Sequence, residues 1–249
     1  MFTDNKYVAA LCKTFSGTKW DKIVLFALTV LTKIKRVSDE EWKKIDEHNK
    51  LAIARSNGSF FTQAADGRKY IERQREAGKS GLALWYGYRG KEKSRTAIYA
   101  DYNLCEVIAT ANTLSYFGER VSVGEIATEI GRTGICLGGE FGTAPSAVVR
   151  FLRKRGYRIK QYMGEELKSA DWLKLQREND TFIAFCYNDH ASLLGGIHTM
   201  SLTPKDGKKA YLIHNDYKTY GNRSFASLKA ALESYDNGRV LLLIGITRH

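Results

Sequence analysis

The first third of the chain arranges its apolar and polar positions with the period of an α-helix. A helix is predicted over about 19–35, and a second from Ser38 to about Ala54, because Ser38-Asp39-Glu40-Glu41 forms a capping box. A third, polar helix is predicted over 67–77. The first helix is expected to bury one stripe in the core, formed by Ile23, Phe26, Ala27, Val30, Leu31 and Ile34.

Three more helices are predicted after residue 101. The first runs from Cys105 to Phe117 and stops at Gly118, and the second covers Val123–Ile130 behind a capping box that starts at Ser122. A glycine-rich loop follows. The third helix has Pro145 in its first turn and ends near Gly156.

The last third of the chain carries strand patterns. Four short segments are rich in branched and aromatic residues: Phe182–Tyr187, Ile197–Leu202, Ala210–Asn215 and Val240–Thr247. Lys205-Asp206-Gly207-Lys208 is predicted as the hairpin turn between the second and third. Helices followed by a run of antiparallel strands predict an α+β domain and do not favour a doubly wound α/β sheet.

Composition and charge narrow the picture. The 249 residues are 43% hydrophobic with two prolines, which excludes a disordered or collagen-like chain. The net charge of +12 is uneven, because residues 1–100 hold 20 Lys and Arg against 11 Asp and Glu. We therefore divide the chain into a basic, mainly helical N-terminal extension (1–98) and a second domain (99–249). The densest basic segment, 68–95, is expected to be a solvated helical surface, a contact for nucleic acid, or an arm across a cleft.

The cysteines and the apolar run bear on location. Four cysteines without metal spacing indicate a reducing compartment, so we expect a cytoplasmic protein with no metal or organic cofactor, while secretion stays open. The run Ile23–Leu31 is too short to span a bilayer and no cleavage site follows it, which does not favour a membrane partner. Cys12 and Cys186 are expected in the core, and Cys136, His190 and His214 are interpreted as incidental.

Three residues form a candidate catalytic constellation. Cys105 begins a helix, whose dipole and free N–H groups stabilise a thiolate. His198 lies near the start of one hairpin strand and Asn215 ends the next. With the turn centred between Asp206 and Gly207, the two would lie roughly opposite each other, so that the Asn215 side chain could orient the imidazole.

These residues resemble those of papain-like cysteine peptidases. Gly196-Ile197-His198-Thr199-Met200 is similar to the family's histidine strand, and Tyr211-Leu212-Ile213-His214-Asn215-Asp216-Tyr217 to its asparagine strand. Asn103-Leu104-Cys105-Glu106 and the later Arg153-Lys154-Arg155-Gly156-Tyr157 look more like the compact bacterial branch, which includes leader-peptide peptidases fused to bacteriocin exporters. The resemblance covers roughly residues 99–247.

The resemblance implies a papain-like cysteine peptidase fold, with Cys105 on a helix and His198 and Asn215 on an antiparallel sheet. It implies thiol acyl transfer, with hydrolysis of a peptide or isopeptide amide in a peptide or protein substrate. Cys105 would be the nucleophile, His198 the general base and acid, and Asn215, or alternatively Asp216, the orienter.

Two departures keep an alternative open. The family's oxyanion glutamine is replaced by Tyr99, so the donor would be Asn103, Tyr99 or only the Cys105 backbone N–H. Glu106 follows the cysteine, and its charge would oppose a thiolate unless it points to solvent. The alternative is a catalytically inactive relative that binds a peptide or protein in its cleft.

Overall fold

The computed structural model describes eleven stretches of the chain: 20–56, 61–64, 67–74, 85–89, 96–99, 103–120, 122–139, 142–187, 197–215, 223–235 and 239–249. The helices are α1 (Trp20–Leu31), α2 (Asp39–Ser56), α3 (Cys105–Tyr116), α4 (Val123–Gly134), α5 (Pro145–Lys154), α6 (Gly164–Leu167), α7 (Trp172–Glu178) and α8 (Leu228–Glu233). The strands are β1 (Thr62–Gln63), β2 (Lys69–Tyr70), β3 (Trp85–Arg89), β4 (Thr96–Tyr99), β5 (Arg158–Met163), β6 (Thr181–Tyr187), β7 (Ile197–Lys205), β8 (Ala210–His214), β9 (Ser224–Phe225) and β10 (Val240–Thr247).

A six-stranded antiparallel sheet organises the second half of the chain. Its strand order is β5-β10-β6-β7-β8-β9, and the two-stranded pairs β1-β2 and β3-β4 stand apart from it. The strands β6 and β10 are buried along nearly their whole length, as expected for strands covered on both faces. The α+β architecture predicted from the order of helices and strands is confirmed.

The sheet separates two hydrophobic cores. One face packs under α3, α4 and α5, where Val107, Ile108 and Phe151 meet Phe185 of β6 and Ile244 of β10. The other face packs against α8 and includes Met200, Leu202, Tyr211, Ile213, Leu228 and Tyr235. Along β6, apolar residues from Phe182 to Tyr187 alternate between the two cores as the pleat requires.

Helix α3 is the central helix of the first core. Every residue from Cys105 to Leu114 is buried, so the polar residues on it are enclosed as completely as the apolar ones. Helices α2 and α4 pack closely against each other, because Gly131 of α4 has no side chain and the Trp42 ring of α2 can approach its backbone. A Cβ atom at position 131 would lie 2.2 Å from Cη2 of that ring.

The N-terminal residues share this core. Trp42, Ile45, Ile71 and Tyr86 belong to the same cluster as residues of α3 and β10. The predicted helix over 67–77 is wrong for residues 67–73, because Lys69–Tyr70 is a strand and its neighbours are not helical; Gln74 is helical. The solvated surface expected at 68–95 is also wrong for Tyr70, Ile71 and Tyr86, which are buried.

Helix α1 is rotated relative to the prediction. Ile23, Phe26 and Val30, which were expected in the core, are 52%, 70% and 40% exposed. The opposite face packs inward through Val24 and Leu25. Both faces of α1 are apolar, so periodicity alone could not indicate which of them is buried.

The β7-β8 hairpin has a different register from the predicted one. Lys205 pairs with Ala210 and Ser201 with His214, which centres the turn between Gly207 and Lys208. Three successive turn residues, Asp206, Gly207 and Lys208, have positive φ. A longer turn replaces the predicted one, and the register differs by two residues.

Candidate functional site

The Cys105 thiol lies at the first turn of α3 and is 8% exposed. Its Sγ atom donates a hydrogen bond to Oε2 of Glu106 at 3.2 Å. Thr199, the residue after His198 on β7, lies close enough to the thiol to act on its ionisation, and its Oγ1 atom has no hydrogen-bond partner among the described residues. The start of the central helix and the start of β7 therefore meet at this sulfur atom.

Burial is the largest influence on the pKa of the Cys105 thiol and on that of the Glu106 carboxyl. It raises the pKa of the Cys105 thiol well above its ordinary value, and the charge and hydrogen bond of Glu106 raise it further, while Thr199 acts in the opposite direction. Burial also raises the pKa of Glu106 to about 7. The carboxyl does not point to solvent, since it is 4% exposed. In this arrangement the proton stays on the sulfur atom.

His198 and Asn215 lie side by side. The Nε2 atom of the imidazole is 2.5 Å from the Asn215 backbone oxygen, and its ring centroid lies 6.0 Å from that of Tyr235. Along β7 the pleat places His198 on the same face as Met200 and Leu202, in the direction of α8. Thr199 and the thiol beside it lie toward the other face.

The structure brings two of the three predicted residues together and gives the third, Cys105, a neighbour that was not predicted. Cys105 meets Thr199, and His198 meets Asn215, but the pleat directs the imidazole and the thiol to opposite faces of β7. The contact of Asn215 is made by its carbonyl and not, as predicted, by its side chain. Its φ of +64° ends the strand and turns that carbonyl to the ring.

The Asn215 side chain is held by the N-terminal part of the chain. Its Oδ1 atom accepts a hydrogen bond from the backbone N–H of Gln74 at 3.1 Å. The Nδ2 atom is buried and has no hydrogen-bond partner among the residues described. Asp216, the alternative orienter, lies outside the described residues.

Residues 67–74, which we call the strap, cross from α3 to the end of β8. The Asn112 side chain binds both backbone groups of Ile71, accepting from its N–H at 2.8 Å and donating to its carbonyl at 2.9 Å. Ser115 Oγ donates to the Lys69 carbonyl at 2.5 Å. The strap is therefore fastened to the central helix before it reaches Asn215.

A buried histidine fastens the other end of the strap. His214 Nδ1 lies 2.7 Å from Oε1 of Glu72, its Nε2 lies 2.7 Å from Oγ1 of Thr203, and its ring stacks on Tyr70 with centroids 4.0 Å apart. His214 has no exposed surface. Its partner Glu72 is 142 residues away in the chain, so the local sequence gives no sign of this contact.

The three candidate oxyanion donors are Asn103, Tyr99 and the backbone N–H of Cys105, and each lies in different surroundings. Asn103 is buried and its Nδ2 atom donates to the Gly139 carbonyl, while its Oδ1 atom has no partner among the described residues. Tyr99 ends β4 opposite Trp85. The backbone N–H of Cys105 lies at the N-terminus of α3, where helix N–H groups have no partner within the helix.

The other cysteines that the structure describes, Cys136 and Cys186, lie away from Cys105 in the sequence and are buried. Cys136 Sγ contacts the Leu28 carbonyl at 3.3 Å, and burial raises the pKa of its thiol to about 12. Cys186 lies in the second core. Cys12 and His190 fall outside the described residues. In the described ranges, no group of three or more His, Cys, Asp or Glu side chains could hold a metal ion.

Comparison with known proteins finds similarity among solved structures. No protein-family model and no curated protein matches the chain. Among solved structures, the chain is similar to the peptidase domain of Streptococcus ComA, a bi-functional ABC transporter involved in a quorum sensing pathway. The identity is 14% and the TM-score 0.41, over 66% of this chain and 99% of that one.

Proposed function

We propose that the protein is a thiol acyl-transfer enzyme of the papain-like type that hydrolyses a peptide or isopeptide amide. The observation that carries the proposal is the meeting of α3 and β7: the Cys105 thiol lies beside Thr199, and the adjacent His198 touches Asn215. A nucleophile at a helix N-terminus, with a histidine and its partner on neighbouring strands, is the set that thiol acyl transfer requires.

The chemistry would proceed in two halves. The Cys105 sulfur attacks the amide carbonyl, its proton passes to His198, and the backbone N–H groups at the start of α3 face the oxyanion. His198 then protonates the departing amine as the C–N bond breaks, which leaves a thioester. Water, deprotonated by His198, attacks the thioester and releases the carboxylic acid and the thiol.

The contacts at Cys105 correspond to a resting state in this scheme. The carboxyl of Glu106 holds the thiol proton at 3.2 Å, and the imidazole lies toward the other face of β7. Proton transfer requires a donor–acceptor distance of about 2.6–3.2 Å, so β7 must change shape near His198 before the thiol can lose its proton to it. Substrate bound at the start of α3 would supply the energy for that change.

A second function is favoured by the ionisation of the site. A buried thiol with a pKa well above its ordinary value, bonded to an adjacent carboxyl, is a poor nucleophile. The same fold could then bind a peptide or protein segment without cleaving it. We carry this binding module as the alternative.

Labelling with a peptidyl chloromethyl ketone separates the two functions. The enzyme is expected to be alkylated at Cys105 at a rate that falls at least about tenfold in His198→Ala, because the histidine takes the thiol proton. The binding module would react at the same slow rate with or without His198. Cys136→Ser is the matched control, since that thiol is also buried and should not change the rate.

A product assay completes the test. A mixed peptide library is incubated with the wild-type chain and with Cys105→Ala, and new amino termini are identified by mass spectrometry. Cleavage that depends on Cys105 supports the enzyme. Peptides retained by both chains, without cleavage, would replace the enzyme by the binding module.

A further inference from the structure

Helix α1 carries an apolar stripe that faces outward. Ile23, Phe26 and Val30 recur at i, i+3 and i+7, and their exposed fractions are 52%, 70% and 40%. Ile34, just beyond the helix, is 45% exposed. We call these four residues the α1 stripe. They are four of the six exposed large apolar side chains among the described residues.

The inner face of α1 is fixed to the body of the protein. Val24 and Leu25 pack against the first core. The Tyr187 hydroxyl of β6 donates to the buried carboxylate of Asp21 at 2.9 Å. The stripe is therefore presented by a helix that is held in place from behind.

Basic side chains flank the stripe along the chain from residue 20 to residue 36. Between residues 20 and 36 the charged side chains that are exposed are all basic: Lys22, Lys33, Lys35 and Arg36. The acidic residue of this stretch, Asp21, is buried and bonded to Tyr187. An apolar stripe with a basic border matches the acyl-chain boundary and the anionic headgroups of a lipid surface.

We propose that α1 docks on the surface of a membrane that contains anionic lipid, lying in the plane of the interface. None of the described helices combines the length and apolar character needed to cross a bilayer. A second copy of the chain fits the stripe less well, because pairing α1 with itself would bring the basic borders together. The proposal is independent of the chemistry at Cys105.

Vesicle sedimentation tests the docking. The full chain is mixed with vesicles of equimolar phosphatidylcholine and phosphatidylglycerol, and with vesicles of phosphatidylcholine alone. The wild-type chain is expected to sediment with the mixed vesicles and to be released as salt screens the basic border. Phe26→Asp should lower the partition coefficient at least about tenfold.

Controls separate the stripe from general charge effects. Leu173 on α7 is 69% exposed, close to the value for Phe26, and Leu173→Asp should change partitioning less than about twofold. Val30→Asp serves as the second stripe variant should Phe26→Asp fail to fold by circular dichroism. Replacing both Lys22 and Lys33 by glutamine should weaken binding to the mixed vesicles while leaving any residual binding to phosphatidylcholine unchanged.

Three results would overturn the proposal. The first is a wild-type chain that stays in the supernatant with the mixed vesicles. The second is an equal loss of binding in Leu173→Asp and Phe26→Asp. The third is a dimer in light scattering that Phe26→Asp converts to a monomer, without vesicle binding, which would assign the stripe to a second copy of the chain.

Discussion

Replacing Glu106 by glutamine isolates the effect of one buried carboxyl on the site. The side chain is 4% exposed, accepts the hydrogen bond of the Cys105 thiol, and has a pKa raised to about 7 by burial. Glutamine keeps an oxygen acceptor of similar shape and cannot ionise. The difference between the two proteins therefore reports the ionisation of Glu106 alone.

The sign and size of the effect follow from linkage. The folded carboxyl binds its proton up to about pH 7, whereas the unfolded one releases it near 4.5. Between these values the unfolded state holds fewer protons, so the free energy of unfolding falls as pH rises. The full loss is about 3 kcal/mol, reached above pH 7 and absent below the unfolded pKa.

Urea denaturation at several pH values across this range measures the loss in the free energy of unfolding. The free energy of unfolding of Glu106→Gln, minus that of the wild type, should increase by about 3 kcal/mol from the acid to the neutral end. Thr110→Val, which removes a hydroxyl bonded to the Glu106 carbonyl but no ionisable group, is the control and should give a flat difference. If the difference in the free energy of unfolding between Glu106→Gln and the wild type also stays constant with pH, the pKa of the buried Glu106 carboxyl is not raised.

The same variant should change the thiol. Loss of the Glu106 charge lowers the pKa of Cys105, because that charge opposes the thiolate. Iodoacetamide labelling of Cys105, followed by mass spectrometry, should therefore extend to lower pH in Glu106→Gln. Labelling that is unchanged while the stability difference appears would mean that burial alone sets the thiol's ionisation.

Two further variants test the packing around α3. Asn112→Ala leaves both backbone groups of Ile71 buried without partners, so the free energy of unfolding in urea should fall by about 2–6 kcal/mol. The control Thr113→Val loses only a hydrogen bond within its own helix and should lower the free energy of unfolding by less than half of this. Equal losses in the two variants would contradict the fastening of the strap by Asn112. Gly131→Ala places a Cβ atom 2.2 Å from the Trp42 ring and should lower stability by about 1–3 kcal/mol in thermal denaturation, whereas an unchanged Tm would show that α2 and α4 can separate without cost.

Local chemistry in the sequence predicted most of the elements. The Ser38 and Ser122 caps mark the starts of α2 and α4, and both side chains accept the predicted backbone N–H. Strand β5 was missed because Arg158 and Lys160 interrupt its apolar pattern, as is common on a sheet edge. Local patterns reveal caps and buried strands, while an edge strand is recognised only by what it pairs with.

The site was predicted in part for a similar reason. Cys105 was predicted as the nucleophile from its place at a helix start, and His198 and Asn215 as its partners from a hairpin register that differs by two residues in the structure. The strap was missed because Gln74 and Glu72 meet the hairpin more than 140 residues later in the chain. The outward face of α1 was missed because both faces are apolar. Contacts between distant parts of the chain, which decide both cases, leave no local pattern.

The strap has a consequence for the order in which the protein folds. Its contacts with His214 and Asn215 join residues 142 and 141 positions apart, so they cannot form until β8 has been synthesised. Contacts of such separation cost much loop entropy and slow folding. Tyr70 is buried in the finished protein, and on the nascent chain its ring lacks the His214 ring that it stacks on until then. The strap therefore leaves the ribosome well before the strand that completes its contacts.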